Sequence, residues 1–249
     1  MANLNSLDVF FSVHSFQEEE LRDRVVVVAD VLRATSTIVT AIHNGARGVI
    51  PVADMGEASK IAQNVDSDNY LLCGEKDGVM IEGYDLGNSP LEYTPERVKG
   101  KTLIFNTTNG TKALRKSFSA DEVYIAAFLN LDQVVEKLSS VGKDVVIVCS
   151  GWKGRLSMED LLLAGSIIYH LGDGNLPSEA RDGAKVAFSL YEKFGKDLAS
   201  VILNSNHGFR LRNLNSVADI EYCSQVNTHR VLPVLHEGII TDQYVTKTG

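Results

Sequence analysis

An acid, an arginine and three hydroxylated residues stand together at Asp30, Arg33, Thr35, Ser36 and Thr37, directly after the apolar run VVVVA at 25–29. A guanidinium at the end of a buried strand needs a carboxylate or an oxyanion, because an unpaired charge there is costly to desolvate. Its planar fork suits a phosphate or a sulfonate. Asp30 could be the salt-bridge partner of Arg33, a metal ligand, or both in turn. Combined with Glu75, Glu159 or Asp160, it would supply the hard oxygens that Mg2+ takes. Magnesium would neutralise phosphate charge and orient a nucleophile.

Three more apolar runs end in turns of the same kind: GEKDG at 74–78, NTTNGTK at 106–112 and SGWKGR at 150–155. Such turns present N–H groups and hydroxyls, and a helix dipole behind them favours an anion. Each also has a plainer reading. Thr35 or Ser36 could be only a helix N-cap. Asn109–Gly110 is a common turn pair. Ser157 with Asp160 matches a capping box, which would make Asp160 structural and leave Glu159 merely suited to the dipole. Cys149 and Arg155 have the C-x5-R spacing of cysteine-dependent phosphatases, but Trp152 replaces the usual mid-loop glycine and no helical pattern follows directly. A buried thiol ending a strand is the commoner state. His207, three residues before Arg210 in a polar turn, could be a general acid, an anion contact or a surface cap.

The elements that must position these residues show in the periodicity. Short β-branched runs at 7–13, 25–29, 48–53, 70–74, 102–106, 122–127 and 144–150 read as strands, several covered on both faces. Helical patterns lie between them at 36–44, 55–65 and 131–142, with an Asp54–Glu57 capping box opening the second. The alternation implies βαβ units, hence an α/β fold: three-layer α/β/α with a mostly parallel, mixed central sheet. Beyond residue 156 the pattern is almost wholly helical, at 158–171, 178–194 and 196–204, and VLPVLHEGII at 231–240 reads as an edge strand. No linker or repeat breaks the chain, so residues 1–249 read as one domain whose helix-rich part, about 157–215, could be a subdomain. Residues 75–92 fit neither period, and so long a loop is usually functional.

Composition narrows the function. The formal net charge is −8 and the basic residues form no stripe, which argues against nucleic acid as partner. No apolar run approaches the roughly 20 residues that span a bilayer, and MANLNSLDVFF does not read as a secretory signal. Cys73, Cys149 and Cys223 are odd in number and far apart, as expected of reduced thiols in the cytoplasm. Acidic α/β proteins of this size often form homodimers, although no segment marks an interface.

Taken as an ordered set, D-x-x-R-A-T-S-T, G-E-x-x-G with G-x-D-x-G-N-S-P, T-T-N-G-T, S-G-x-x-G-x-x-S-x-E-D and H-G-x-R-L resemble the 2-phosphosulfolactate phosphatase family, known from coenzyme M biosynthesis. The resemblance runs from about residue 7 to 235. It implies an α/β/α fold of the family's own and a Mg2+-dependent acid phosphatase that converts (2R)-phospho-3-sulfolactate to sulfolactate and phosphate. The motif positions carry over to Asp30, Arg33, Thr35, Ser36, Thr37, Glu75, Asn88 and Ser89, then to Thr107, Thr108, Asn109, Gly110 and Thr111. They continue through Ser150, Gly151, Glu159 and Asp160 to His207 and Arg210. Lys76 stands where the family frequently has arginine.

These readings combine into one expectation: a magnesium-dependent phosphomonoesterase for a small organic acid phosphate, with Asp30 and Glu159 as metal ligands and Asp160 and Glu75 behind them. Arg33 with the turns 35–37 and 107–111 would hold one anionic end of the substrate, and Lys76, Lys153, Arg155 or Arg210 the other. The nucleophile could be water, Asp30 or Cys149. On this reading Arg33→Ala cuts turnover by orders of magnitude with little loss of folding. The alternative from another class is a non-catalytic module that binds a small anion.

Overall fold

The structure is a computed structural model and describes residues 2–64 and 67–243. Among them lie strands β1 (Ser6–Phe10), β2 (Val25–Ala29), β3 (Gly48–Pro51), β4 (Tyr70–Lys76), β5 (Val79–Met80), β6 (Thr102–Asn106), β7 (Glu122–Ala126), β8 (Asp144–Cys149), β9 (Pro233–His236) and β10 (Ile239–Asp242). The helices are α1 (Ala34–His43), α2 (Met55–Ala62), α3 (Pro95–Val98), α4 (Gly110–Lys116), α5 (Leu131–Leu138), α6 (Met158–Leu171), α7 (Asp182–Phe194), α8 (Leu198–Leu203), α9 (Asn206–Asn213) and α10 (Val217–Cys223).

Five consecutive positions of β2 are buried, as its unbroken apolar run requires of a strand covered on both faces. β2 pairs in parallel with β8 on one side and β7 on the other, so that Val27 lies opposite both Ile147 and Tyr124. The full order is β1-β8-β2-β7-β9-β10-β3-β6-β4-β5. It contains two parallel blocks, β1-β8-β2-β7 and β3-β6-β4, in a mixed sheet with helices on its faces.

The expectation of an edge strand over 231–240 is corrected here. β9 and β10 form a hairpin in the middle of the sheet, where β9 pairs antiparallel with β7 and β10 antiparallel with β3. Its turn, Glu237–Gly238, has φ of 49° and 82°, the pair of positive values that suits the twist of a tight hairpin. The helix expected from residue 178 begins at Asp182 instead, because Arg181 N–H donates to Leu7 O and Ala180 bridges β1.

Three successive antiparallel pairings reverse the second block relative to the first along the sheet. A twist of about 20–25° per neighbour accumulates over the steps from β2 to β6 and turns the reversed strands back toward the first block. The convergence is visible at Gly110, where a Cβ would sit 2.5 Å from Ala34 Cβ and 2.9 Å from Asp30 Oδ2. Between the blocks lies α1, buried from Ala34 to Ile42, with its hydroxylated residues as well as its apolar ones inside. Its Ile38, Val39 and Ile42 share one core with Val26 and Val28 of β2 and with Leu103 and Phe105 of β6. A second core joins the opposite face of the first block to α5, α6 and α7.

Candidate active site

The turn from β2 into α1 is built by its own hydroxyls. Thr35 donates its N–H to Asp30 O (2.9 Å) and accepts Asp30 N–H on Oγ1 (3.1 Å). Ser36 Oγ donates to Val31 O (2.8 Å), and Thr37 Oγ1 donates to Asn88 O (2.9 Å). All three side chains are buried and committed to main-chain partners, and none lines the cavity described next. They shape the turn, so the expected anion contacts from Thr35, Ser36 and Thr37 are corrected to a supporting role. Thr111 behaves alike, donating Oγ1 to Thr107 O across one helical turn.

A cavity of about 460 Å³ opens where four strands end. Asp30 and Arg33 line it after β2, Glu75, Asp77 and Gly78 at the end of β4, Thr107, Thr108 and Asn109 after β6, and Trp152 and Lys153 after β8. Asn88 completes the wall from the 75–92 segment, and α9 adds His207 and Arg210. The separated turns therefore meet in one place.

Four carboxylates surround the floor, each with different commitments. Glu75 accepts Thr108 N–H on Oε1 (2.7 Å) and Gly78 N–H on Oε2 (2.6 Å), and so clasps the β4–β5 turn to the β6 turn. Asp160 accepts Val31 N–H (2.9 Å) and Gly151 N–H (3.1 Å), tying the end of β2 to that of β8, while Ser157 caps α6. Glu159 bonds His207 Nδ1 at 2.8 Å and Ser205 Oγ at 3.3 Å. Asp30 faces the cavity, with the Ala34 N–H hydrogen-bonded to its carboxylate.

Burial pushes the Asp30 carboxyl up to about 6; the His207 charge opposes the rise, and Glu75 and Glu159 add to it. Burial, then the charges of Asp30 and Glu159, hold Asp160 well above the ordinary range. Burial acts the same way on Glu159, but the hydrogen bond and charge of His207 outweigh it and hold this carboxyl below its usual value.

Among the described residues no group of three or more His, Cys, Asp or Glu side chains is arranged as a metal cage. Magnesium does not need one, since it typically takes one or two carboxylates and completes its shell with water and substrate phosphate. Asp30 fits that requirement as a cavity-facing carboxylate whose charge is disfavoured by its surroundings. Glu75 and Glu159 lie within electrostatic reach of it.

Arg33 does not pair with Asp30. Its Nη1 donates to Asp219 Oδ2 at 2.5 Å and its Nη2 to Gly78 O at 3.0 Å, with both charged side chains buried. Asp219, on α10, also accepts Ser89 Oγ at 2.5 Å, which places Ser89 behind Arg33. Of the four cations expected to hold a second anion, Lys153 and Arg210 line the cavity, whereas Lys76 and Arg155 do not. His207 lies in the first turn of α9 and stacks on Trp152 with ring centroids 5.4 Å apart. With Glu159 on Nδ1, its Nε2 is left for the cavity.

The remaining positions divide as follows. Asn88 is buried in the cavity wall, and its Oδ1 has no hydrogen-bond partner among the described residues. Ser150 Oγ is likewise buried and unpartnered, but Ser150 does not line the cavity. Gly151 (φ 70°) could not carry a Cβ, which would lie 2.3 Å from Arg155 O. Gly110 is equally close-packed and brings the β6 turn against Asp30. Cys149 is fully buried, and desolvation followed by the charges of Asp160 and Glu159 drives its thiol well above its ordinary pKa. It is neither exposed nor a thiolate, which removes it as a nucleophile.

Sequence reasoning missed Asp219 and Trp152. The signal for Asp219 was weak, an acid in an otherwise ordinary helix. Trp152 was seen only as a misfit in the C-x5-R pattern, although the chain's single tryptophan beside Gly151 in a strand-end turn was a pointer.

The family described as 2-phosphosulpholactate phosphatase matches residues 10–238. The chain is 43% identical over 234 residues to a protein of Caldanaerobacter subterraneus subsp. tengcongensis named "Probable 2-phosphosulfolactate phosphatase", covering 94% of this chain and 97% of that protein. A protein of the same name from Symbiobacterium thermophilum is 43% identical, with 88% of this chain and 94% of the relative covered. One from Clostridium beijerinckii is 39% identical, with 94% and 98% covered. From the match across nearly its whole length, the chain belongs to the 2-phosphosulpholactate phosphatase family.

Proposed function

We propose that the protein is a phosphoric monoester hydrolase for the phosphate ester of a small 2-hydroxy acid, (2R)-phospho-3-sulfolactate first among them, and that Mg2+ is its cofactor. The reaction is R–O–PO3²⁻ + H2O → R–OH + HPO4²⁻. The observation that carries the reading is the meeting of Asp30, Arg33, His207 and the Thr107–Asn109 turn in one cavity, in a chain whose relatives are named for this activity.

Asp30, with Glu75 and Glu159 near it, would hold the metal. When bound there, Mg2+ would supply charge neutralisation for the phosphoryl oxygens and a low-pKa water. The protein's own groups do the rest. Arg33, fixed by Asp219, offers a preoriented positive charge to the phosphoryl group, whose charge spreads over its oxygens in the transition state. Asn88 contributes a buried amide to the cavity wall, with its Oδ1 unpartnered among the described residues. His207, held by Glu159 on Nδ1, donates a proton from Nε2 to the departing ester oxygen. Thr107, Thr108 and Asn109 close the wall opposite.

The test is a panel of 2-hydroxy-acid phosphates assayed for inorganic phosphate with Mg2+ and with EDTA. Phosphate released only with the ion supports the proposal. Calorimetric heat without phosphate, in both buffers, indicates a binding module instead. No helix among the described residues is long and apolar enough to cross a membrane.

A further inference from the structure

The cavity is electrically lopsided. Its floor carries Asp30 and Glu75, with Glu159 and Asp160 behind, and its one buried guanidinium, Arg33, is already matched by Asp219. Its exposed mouth carries two cations, Lys153 and Arg210, on different elements: the turn after β8 and helix α9. Among the described residues neither forms a salt bridge. Arg210 Nη2 donates only to the Asp77 carbonyl, at 3.2 Å. Lys153 Nζ stands 4.8 Å over the Trp152 ring, and that ring is stacked on His207. Lys153 also adopts φ 51°, a region a lysine enters reluctantly. An ammonium steered onto an aromatic face at a cavity mouth, with no carboxylate to meet it, is available to a ligand anion.

Building on the phosphomonoesterase reading, we propose that Lys153 and Arg210 form a distal anion site that holds the carboxylate or sulfonate end of the substrate while the phosphate lies at the Asp30 floor. The two sites then select substrates by charge at both ends. A neutral phosphate ester fills only the inner one. Trp152 is the positioning residue of this arrangement: it carries Lys153 on its ring and His207 behind it, so the distal anion and the proton donor are set by one side chain. Asp77 also lines the cavity, and its negative charge opposes an anionic second end that the two cations do not hold.

The experiment compares kcat/KM for phosphate release from an acidic ester (2-phosphoglycerate) and a neutral one (glycerol 2-phosphate) in wild type, Lys153→Met, Arg210→Met, the double variant and Lys153→Arg. Each methionine variant should lower the acidic-to-neutral ratio about tenfold, the loss of one charge-assisted contact, mainly through KM. The double variant should lower it further, and Lys153→Arg should restore most of it. A ratio within threefold of wild type in the double variant overturns the proposal. Should the wild type release phosphate from neither ester nor from (2R)-phospho-3-sulfolactate, the function reading fails by itself. Calorimetric titration with sulfolactate then decides the distal site: binding about tenfold weaker in each methionine variant upholds it, and unchanged binding sinks it.

Discussion

Arg33 Nη1 and Asp219 Oδ2 meet at 2.5 Å across 186 positions of sequence, with side chains only 6% and 5% exposed. The pair joins the β2–α1 turn to α10, and Ser89 completes it from the 75–92 segment. Removing either member strands the other as a buried charge, which costs about 3–5 kcal/mol. Arg33→Ala therefore destabilises the fold as well as ending turnover, contrary to the sequence expectation of little folding loss. The double variant Arg33→Met/Asp219→Leu should recover most of that stability in urea melts yet release no phosphate. Full stability in Arg33→Ala alone would show that the pair is not the buried contact described.

Asp30 gives a pH-dependent prediction. Its folded-state value near 6 lies above the ordinary 3.8, so its contribution favours folding below about pH 4 and is lost as pH rises through about 6. A shift of that size corresponds to about 3 kcal/mol. In EDTA, Asp30→Asn should be more stable than wild type by up to about 3 kcal/mol at pH 8 and no more stable at pH 4. A gap of equal size at both pH values contradicts the burial of this charge.

Asp160 is expected to matter for architecture. Both of its oxygens accept main-chain N–H groups, from Val31 and Gly151. Asp160→Asn turns an amide N–H2 toward one of those donors and leaves it unpaired, at about 1–3 kcal/mol. Chemical denaturation should show that loss, and a variant as stable as wild type would deny the tie between β2 and β8.

Cys149 supplies a negative control for the C-x5-R spacing. Its buried, protonated thiol predicts that Cys149→Ala keeps phosphate release within a few-fold of wild type and that iodoacetamide leaves native activity intact. Inactivation by either route would restore the cysteine as a nucleophile.

Much of the site was legible because strand-end turns are local features. β2, β6 and β8 end close to where their β-branched runs stop, and the turns after them do line or brace one cavity. Long-range partners were not legible. Nothing within a few residues of Asp219 distinguishes it, and only the packing of α10 brings it to Arg33. The hydroxyls of Thr35, Ser36 and Thr37 were read as ligand contacts, but type alone cannot tell a hydroxyl that binds a guest from one that binds its own main chain. The mid-sheet hairpin was missed for a similar reason: strand order is set by pairing, and periodicity reports only that a strand exists.

Phosphate release from (2R)-phospho-3-sulfolactate by the wild type and by Asp30→Asn, each with Mg2+ and with EDTA, bears most directly on whether this cavity hydrolyses phosphate esters. The wild type should release one phosphate per ester consumed, only with the ion, and Asp30→Asn should be slower by a factor of about a thousand or more while remaining folded. A wild type that binds the ester without releasing phosphate in either buffer, or an Asp30→Asn variant as fast as wild type, would contradict it.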